Sequence, residues 1–229
     1  MPVLPPMPSV TFPPALARGI YDAGVIAVLV IDEPADALPL AGALVAGGVH
    51  AIELTLRTPS ALESLAIIKK NMPRMLVGAG TVLTPAQVLQ ARDAGADFAV
   101  APGCNARVLA AAAEARLPFA PGIATPSDIE AALEFGCALL KFFPAEPSGG
   151  LAYLKNMAAP YAHLGLRYMP LGGITAATAA AWLADPLIAA LGGTWLAPRP
   201  LIQARDWAGI TQRAAEAAAF VRDARGKSV

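Results

Sequence analysis

Short apolar runs alternate along the chain with longer segments in which Ala and Leu recur at helical spacing. An apolar run of about four to eight residues bounded by turn residues is typical of a buried strand, whereas apolar residues three and four positions apart are typical of a helix. The pattern predicts eight strands, over residues 25–30, 51–56, 75–80, 97–101, 118–121, 139–143, 167–171 and 187–191.

The segments between these runs begin and end as helices do. Most start at Pro, Ser, Thr or Asn, the residues preferred at helix amino termini. Glycines in the sequences AGGV, AGAD and EFGC close three of them, as expected where a helix ends in a left-handed residue. The predicted helices cover residues 14–22, 34–46, 58–71, 84–94, 105–115 and 125–135.

Regular alternation of strand and helix implies an α/β protein with a parallel sheet. Eight repeats without a long insertion favour a (β/α)8 TIM barrel with an N-terminal helix over an open doubly wound sheet. The sequence has no linker or break in composition, so residues 1–229 are predicted to form one barrel domain. The first fourteen residues contain six prolines, and residues 1–13 are predicted to be a Pro-rich arm within it.

Composition and charge disfavour several partners. Charged residues make up 15% of the chain, the formal net charge is zero and the cations are scattered, unlike a nucleic-acid-binding surface. The uncharged stretch 168–184 contains Pro170, Gly172 and Gly173 and is short for a membrane span. The amino terminus lacks a secretory pattern, so a cytoplasmic location without membrane contact is expected. Cys104 and Cys137 are then predicted to be reduced structural thiols.

Three charged residues in the middle or directly after the end of predicted strands stand out, because charge there is costly unless it is paired or functional. Lys141 lies in LLKFF and is the one lysine of five in an apolar strand, while Glu53 and Arg57 lie in IELTLR. Side chains alternate along a strand, so Glu53, Thr55 and Arg57 share one face and the leucines between them take the other. The alternation predicts that Lys141 and Glu53 point into the barrel. Arg57 is predicted at its carboxyl-terminal rim, where barrel enzymes place their chemistry.

A buried lysine beside a glutamate has two interpretations. It could be only a structural ion pair, although such pairs stabilise weakly because desolvation offsets much of the attraction. Alternatively, burial among Leu and Phe disfavours the charged amine, and the neutral amine of Lys141 can attack a carbonyl carbon to form an imine. The apolar surroundings of Lys141 favour imine chemistry.

Glycine-containing turns follow most of the predicted strands. They are Gly-Ala-Gly-Thr at 78–81, Pro-Gly at 102–103 and 121–122, Gly-Gly-Ile at 172–174 and Gly-Gly-Thr at 192–194. Glycine lets backbone N–H groups approach an anion closely, and barrels commonly bind phosphate after their seventh and eighth strands. The two Gly-Gly pairs therefore indicate a phosphate site, against the simpler interpretation that they only make tight turns.

Over about residues 25–207 the chain resembles the 2-keto-3-deoxy-6-phosphogluconate (KDPG) and 4-hydroxy-2-oxoglutarate (KHG) aldolases, through ALVAGGVHAIELTLRT, VGAGTVL, KFFPAE and GGTWL. The resemblance implies a lyase that forms pyruvate from a phosphorylated 2-keto-3-deoxy sugar acid, as a homotrimer without cofactor or metal. It implies that Lys141 forms a Schiff base and that Glu53 shuttles protons through a bound water. The implied substrate-binding residues are Arg57 and Thr81 for the pyruvyl carboxylate, Pro102 and Phe143 around the imine, and Gly172, Gly173 and Thr194 for the phosphate.

Two positions depart from the family's pattern. Leu171 stands where KDPG aldolases typically have Thr, so a hydroxyl beside the phosphate or sugar chain is missing. Val30 stands where many relatives place Arg at the end of the first strand. Either change could move the preference toward the C-4 epimer, 2-keto-3-deoxy-6-phosphogalactonate, or toward 4-hydroxy-2-oxoglutarate.

Two other functions use the same residues. A phosphate-binding barrel isomerase or epimerase would use Glu53 and Lys141 as acid and base without an imine. A catalytically silent ligand-binding barrel would keep the rim without turnover. A metal-dependent aldolase is disfavoured because His50 and His163, interpreted as helix-boundary residues, do not fall at strand ends with suitable carboxylates.

Overall fold

The computed structural model describes residues 9–226, in which strands and helices alternate along the chain. The strands are β1 Val25–Leu29, β2 Ala51–Thr55, β3 Leu76–Gly80, β4 Phe98–Val100, β5 Phe119–Ala120, β6 Gly122–Ile123, β7 Leu139–Phe142, β8 Arg167–Pro170 and β9 Leu191–Gly193. The helices are α1 Pro14–Ala23, α2 Ala37–Ala46, α3 Ala61–Asn71, α4 Pro85–Asp93, α5 Ala106–Ala115, α6 Pro126–Leu133, α7 Gly150–Ala158, α8 Ala176–Leu183, α9 Arg199–Gln203 and α10 Trp207–Arg225.

The strands form two sheets, and every pairing between strands is parallel. The larger sheet has the order β5-β4-β3-β2-β1-β9 and the smaller one the order β6-β7-β8. Isolated bridges from Tyr168 to Ile188 and from Leu171 to Gly192 connect β8 with the segment that leads into β9. The curled parallel sheet confirms the α/β class that the alternation predicted.

The strand predicted over 118–121 is present as β5 and ends at Ala120, and a separate short strand, β6, follows Pro121. Pro121 has no N–H group to donate to a neighbouring strand, but its carbonyl oxygen accepts a hydrogen bond from the backbone N–H of Lys141, at 2.8 Å. As a result β5 pairs with β4 while β6 pairs with β7. The chain therefore passes from the larger sheet to the smaller one at this proline.

The last strand was predicted too early in the chain. Residues 187–191 were expected to form it, whereas β9 begins at Leu191. Asp185 makes a turn first, because its carboxylate accepts from the backbone N–H of Leu187 and its carbonyl oxygen accepts from that of Ile188. The strand then continues through Gly192 and Gly193. Glycine is depleted in strands, so the apolar pattern used for the prediction stopped at Leu191, where the strand begins.

Two predicted helices also begin later than expected. The helix predicted over 58–71 begins at Ala61, because the hydroxyls of Thr58 and Ser60 both donate to the carbonyl oxygen of Ile31, each at 2.6 Å. The helix predicted over 34–46 opens with a 3-10 turn at Pro34–Asp36 before α2. The predicted left-handed glycines are confirmed at Gly48, Gly95 and Gly136, which all have positive φ.

The core has two layers that follow the alternation of side chains along the strands. One cluster includes Ile26, Phe98 and Met169, on the same face of their strands as the interior charged residues. The other lies between the outer face of the sheet and the helices, and contains Ile52 and Leu54 from β2. Side chains of α1 pack into the interior cluster beside the first residues of β2, β3 and β7. The predicted amino-terminal helix thus covers the amino-terminal end of the strands.

Of the Pro-rich arm predicted over 1–13, residues 1–8 lie outside the described residues. The following residues lie against the body of the protein. The backbone N–H of Val10 donates to the carbonyl oxygen of Phe135 at 2.7 Å, and Val10 is buried. The ring of Phe12 lies 6.2 Å from that of Phe98. Among the helices of residues 9–226, none is long and apolar enough to cross a membrane.

Candidate active site

Lys141 of β7 and Glu53 of β2 form a close pair of opposite charges in the interior of the protein. Lys141 Nζ lies 3.1 Å from Oε1 and 3.3 Å from Oε2 of Glu53, and the two residues are 5% and 3% exposed. The two strands belong to different sheets, so the pair spans the interior. Burial of two charges away from water is costly, and the close pairing offsets part of that cost.

Glycine at position 80 makes room for the Glu53 carboxylate. A Cβ atom built on Gly80 would collide with the side chain of Glu53. Thr55 lies two residues further along β2, on the same face as Glu53. Its hydroxyl donates a hydrogen bond to the backbone carbonyl oxygen of Leu29 at 2.9 Å. Of these two side chains of β2, Glu53 is the one that contacts the amine of Lys141.

Lys141 lies in an apolar strand, and its amine faces the interior. It stands between Leu140 and Phe142, whose side chains belong to the outer core cluster, while Lys141 faces the interior. Its Nζ lies 5.7 Å from the centroid of the Phe143 ring, within the range of a cation–π contact. The amine thus has one carboxylate and one ring face as its neighbours.

The pair lies at the base of a cavity of about 220 Å³ at the carboxyl ends of the strands. The structure brings together here all the site residues predicted from the sequence: Glu53, Arg57, Thr81, Pro102, Lys141, Phe143, Gly172, Gly173 and Thr194. The lining also includes Val28, Thr55, Leu171, Ile174, Gly192 and Gly193. Val28 was not singled out in the sequence, because an apolar residue near a strand end gives no signal that distinguishes it from core.

The turn after β8 offers hydrogen-bond donors to the cavity. Gly172 and Gly173 have φ values of 96° and 82°, a left-handed conformation that favours glycine. Among the described residues, the backbone N–H groups of Gly172, Gly173 and Thr194 donate to no protein acceptor. Unpaired amides at consecutive glycines form a concave site suited to an anion.

A second cleft, of about 420 Å³, adjoins the cavity and shares Val28, Arg57 and Thr194 with it. Arg57 is exposed there and forms no ion pair within residues 9–226. At the far wall the Arg199 guanidinium makes two hydrogen bonds to Asp32, of 2.6 and 3.0 Å. These bonds hold the pKa of Asp32 below its usual value. Arg57 is therefore the guanidinium that remains available to a bound carboxylate.

The cysteines and histidines lie away from the cavity. Burial raises the pKa of Cys104 to about 11 and that of Cys137 to about 12, so both thiols stay protonated at neutral pH, as expected of structural cysteines. His50 lies just before β2 rather than at a helix boundary, and His163 lies in the 3-10 turn Ala159–Leu164. Within residues 9–226 no group of three or more His, Cys, Asp or Glu side chains is placed to hold a metal ion.

A parallel α/β fold, with a buried amine and carboxylate at the carboxyl ends of its strands, defines a class of enzyme equipped to act on carbonyl compounds. The family model for KDPG and KHG aldolases matches residues 17–213. The KHG/KDPG aldolase of Escherichia coli strain K12 is 42% identical over 202 residues, which are 88% of this chain and 94% of that protein. This chain belongs to the KDPG and KHG aldolase family.

Two further comparisons agree. The 2-dehydro-3-deoxy-phosphogluconate aldolase of Zymomonas mobilis is 45% identical over 204 residues, covering 88% of this chain and 94% of that protein. The crystal structure of the Legionella pneumophila KDPG aldolase, with pyruvate captured at low pH as a covalent carbinolamine intermediate, superposes with a TM-score of 0.82. That chain is 38% identical, and the match covers 87% of this chain and 96% of that one.

Proposed function

We propose that this protein is a class I aldolase that cleaves 2-keto-3-deoxy-6-phosphogluconate to pyruvate and glyceraldehyde 3-phosphate through an imine on Lys141. The observation that carries the proposal is the buried Lys141 amine, 3.1 Å from the Glu53 carboxylate at the base of a cavity. The relatives named above are KDPG or KHG/KDPG aldolases. Pyruvate is held as a carbinolamine, the product of an amine adding to a carbonyl, in the related Legionella enzyme.

The reaction begins when Lys141, in its neutral form, adds through its nitrogen lone pair to the keto carbon of the substrate. The resulting carbinolamine loses its hydroxyl as water and becomes a protonated imine. Glu53 lies within hydrogen-bond reach of the same nitrogen and is placed to accept and return the protons of these steps, directly or through a water. The protonated imine then withdraws electrons from the neighbouring carbon.

Cleavage follows from that electron demand. Glu53 accepts the proton of the C-4 hydroxyl as the C-3–C-4 bond breaks, and the bond's electron pair moves into the imine to form an enamine. Glyceraldehyde 3-phosphate leaves as the aldehyde product. Protonation of the enamine carbon restores the imine, and hydrolysis releases pyruvate and the free amine of Lys141.

The remaining lining residues bind the substrate. Arg57 matches the planar carboxylate of the pyruvyl half bidentately, and Thr81 adds a hydroxyl donor. Pro102 and Phe143 shape the wall around the imine. The unpaired N–H groups of Gly172, Gly173 and Thr194 take the phosphate, since backbone donors to an anion form strong, charge-assisted bonds.

Two substitutions favour a second candidate substrate. Leu171 presents an apolar side chain where a Thr would offer a hydroxyl, and Val30 lines the adjoining cleft where an Arg would add a charge. Loss of these polar groups weakens selection for one C-4 configuration and for a long phosphorylated chain. The phosphogalactonate epimer and 4-hydroxy-2-oxoglutarate, which yields glyoxylate, are therefore the alternative substrates.

The proposal extends to architecture and assembly. The eight strand positions, counting β5 and β6 as one, would close into a (β/α)8 barrel as a single domain, and the enzyme would work without metal or cofactor in the cytoplasm. The assembly would be a homotrimer, as the resemblance to the family implies. The molar mass in solution tests this, because a mass of one chain would rule the trimer out.

A panel of 2-keto-3-deoxy acids tests the function. It should contain both C-4 configurations, each with and without phosphate, together with 4-hydroxy-2-oxoglutarate, and pyruvate release should be measured for each. We expect the highest kcat/KM with the phosphorylated gluconate acid. Isomerisation or epimerisation without pyruvate release would instead favour an enzyme that uses Glu53 and Lys141 as acid and base only.

A further inference from the structure

The segment that follows β7 is held by a side chain outside the cavity. Glu146, five residues after Lys141, accepts a hydrogen bond through its Oε1 from the indole N–H of Trp182 at 2.8 Å. Trp182 lies near the end of α8 and is 2% exposed. A hydrogen bond to a carboxylate is stronger than one between neutral groups. The bond therefore fixes α8 against the segment after β7.

The glycine turn of the cavity rim lies directly on this segment. The backbone N–H of Glu146 donates to the carbonyl oxygen of Gly172 at 3.0 Å, and that of Ala145 donates to the carbonyl oxygen of Leu171 at 2.7 Å. A Cβ atom built on Gly173 would lie 2.7 Å from Cβ of Glu146. The turn is thus in contact with Glu146 on the side away from the cavity.

These contacts hold the Gly172–Gly173 turn between the segment after β7 and helix α8. The turn leads into α8, and Trp182 near the far end of that helix bonds back to Glu146, whose backbone supports the carbonyl oxygen of Gly172. The carbonyl oxygens of Leu171 and Gly172 accept hydrogen bonds from the segment, while among the described residues the N–H groups of Gly172 and Gly173 have no acceptor. Any movement of Glu146 would therefore move the donors that face the cavity.

We infer that Glu146, held by Trp182, is a positioning residue that fixes the Gly172–Gly173 turn for phosphate and so sets the preference for phosphorylated over unphosphorylated substrates. The inference rests on the proposed function of the turn. Glu146 acts through the backbone and does not touch the reacting atoms. A loss of the Glu146–Trp182 bond should consequently weaken phosphate binding without affecting the chemistry at Lys141.

Four variants separate this role from a general effect on folding. Trp182→Phe removes the indole N–H, and Glu146→Ala removes the acceptor without altering the tryptophan. Glu146→Gln keeps a neutral oxygen acceptor for Trp182 in place of the carboxylate, so its effect should be smaller than that of Glu146→Ala. Trp207→Phe is the matched control, because Trp207 is half-buried and its indole makes no hydrogen bond within residues 9–226.

The kinetic readout is the ratio of kcat/KM for the phosphorylated acid to that for 4-hydroxy-2-oxoglutarate, which has no phosphate. In Trp182→Phe and Glu146→Ala the KM for the phosphorylated acid should rise about 3- to 10-fold, the effect of one lost hydrogen bond, with kcat nearly constant. The ratio should fall by the same factor in these two variants, and it should fall less in Glu146→Gln. An equal loss on both substrates, or an unchanged ratio, would overturn the inference.

Binding of inorganic phosphate, measured by calorimetry, provides a second readout that needs no turnover. Affinity should fall most in Trp182→Phe and Glu146→Ala, fall less in Glu146→Gln, and stay at the parental value in Trp207→Phe. Parental affinity in all four variants would contradict the positioning role. Absence of pyruvate release in the parent would contradict the proposed function instead, and the phosphate measurement would still decide the role of Glu146.

Discussion

The inner and outer ends of the cavity are built from different parts of the chain. At the inner end two side chains, Lys141 and Glu53, are almost fully buried and in contact with each other. At the rim the available groups are backbone N–H donors of Gly172, Gly173 and Thr194, and Gly173 and Thr194 are exposed. The function of the inner end depends on the identity of two side chains. The function of the rim depends on the conformation of the backbone and on the contacts that hold that backbone in place.

This difference separates catalysis from selectivity. A change at the inner end removes a reacting group, so its effect should be large and the same for every substrate. A change at the rim alters how one end of the substrate is held, so its effect should be small and should depend on the substrate. The variants below test that contrast.

The largest effect is expected when Lys141 is replaced. Lys141→Ala should reduce pyruvate release to the background rate on all substrates, because Lys141 is the only amine among the described residues that line the cavity. Lys141→Gln should be equally inactive while keeping a hydrogen-bond donor for Glu53, which guards against the cost of an unpaired buried carboxylate. Circular dichroism checks the fold, and Lys70→Ala, at an exposed lysine, is the control. Substantial turnover in either Lys141 variant would end the imine mechanism.

A smaller but still uniform effect is expected at Glu53. Glu53→Gln keeps the size and a hydrogen-bonding group beside the amine but cannot accept a proton as a base. It should still form the imine with pyruvate and should lose about 10²- to 10⁴-fold in the exchange of the pyruvate methyl protons with solvent. Proton NMR in heavy water measures that exchange. Exchange at the parental rate would assign the base to another group.

The smallest effect, and one that depends on the substrate, is expected at Leu171. Its side chain lines the cavity and covers Gly192, where a Cβ atom would collide with it. Leu171→Thr should raise the preference for the phosphorylated gluconate acid over its unphosphorylated form by about 2- to 12-fold, the value of one neutral hydrogen bond.

Leu171→Val is the matched control for that substitution, since valine has the shape of threonine without the hydroxyl. A difference between the Thr and Val variants in the ratio of kcat/KM values isolates the hydroxyl from the loss of volume. The same ratio in both variants would show that specificity is set elsewhere on the rim. Both variants should lose stability, because a smaller side chain leaves space over Gly192.

The inner end of the site has a clearer signal in the sequence than the rim has. Lys141 and Glu53 stand out because charge inside an apolar strand is rare and because alternation along a strand fixes which way each side chain points. The same reasoning predicted the strand order in the chain, but it placed the last strand over 187–191 instead of Leu191–Gly193, where two glycines carry no strand signal. A strand of this kind is recognised by its pairing with a neighbouring strand, and the pattern of apolar residues along the chain does not show that pairing.

Contacts between distant parts of the chain account for the rest. Glu146 lies in the recognisable sequence KFFPAE, but its partner Trp182 lies in an uncharged Ala-rich helix that gives no indication of a functional contact. Arg199 and Asp32 are 167 positions apart and meet only at the wall of the adjoining cleft. Pairings of this kind depend on how the elements pack, which periodicity and composition do not encode.

Reductive trapping tests the central claim most directly. The protein is incubated with pyruvate and borohydride, digested, and its peptides are analysed by mass spectrometry. The account predicts one reduced pyruvyl adduct, on the peptide that contains Lys141, and its absence in Lys141→Gln. Efficient pyruvate release from a 2-keto-3-deoxy acid without any adduct, or with the adduct on another lysine, would contradict it.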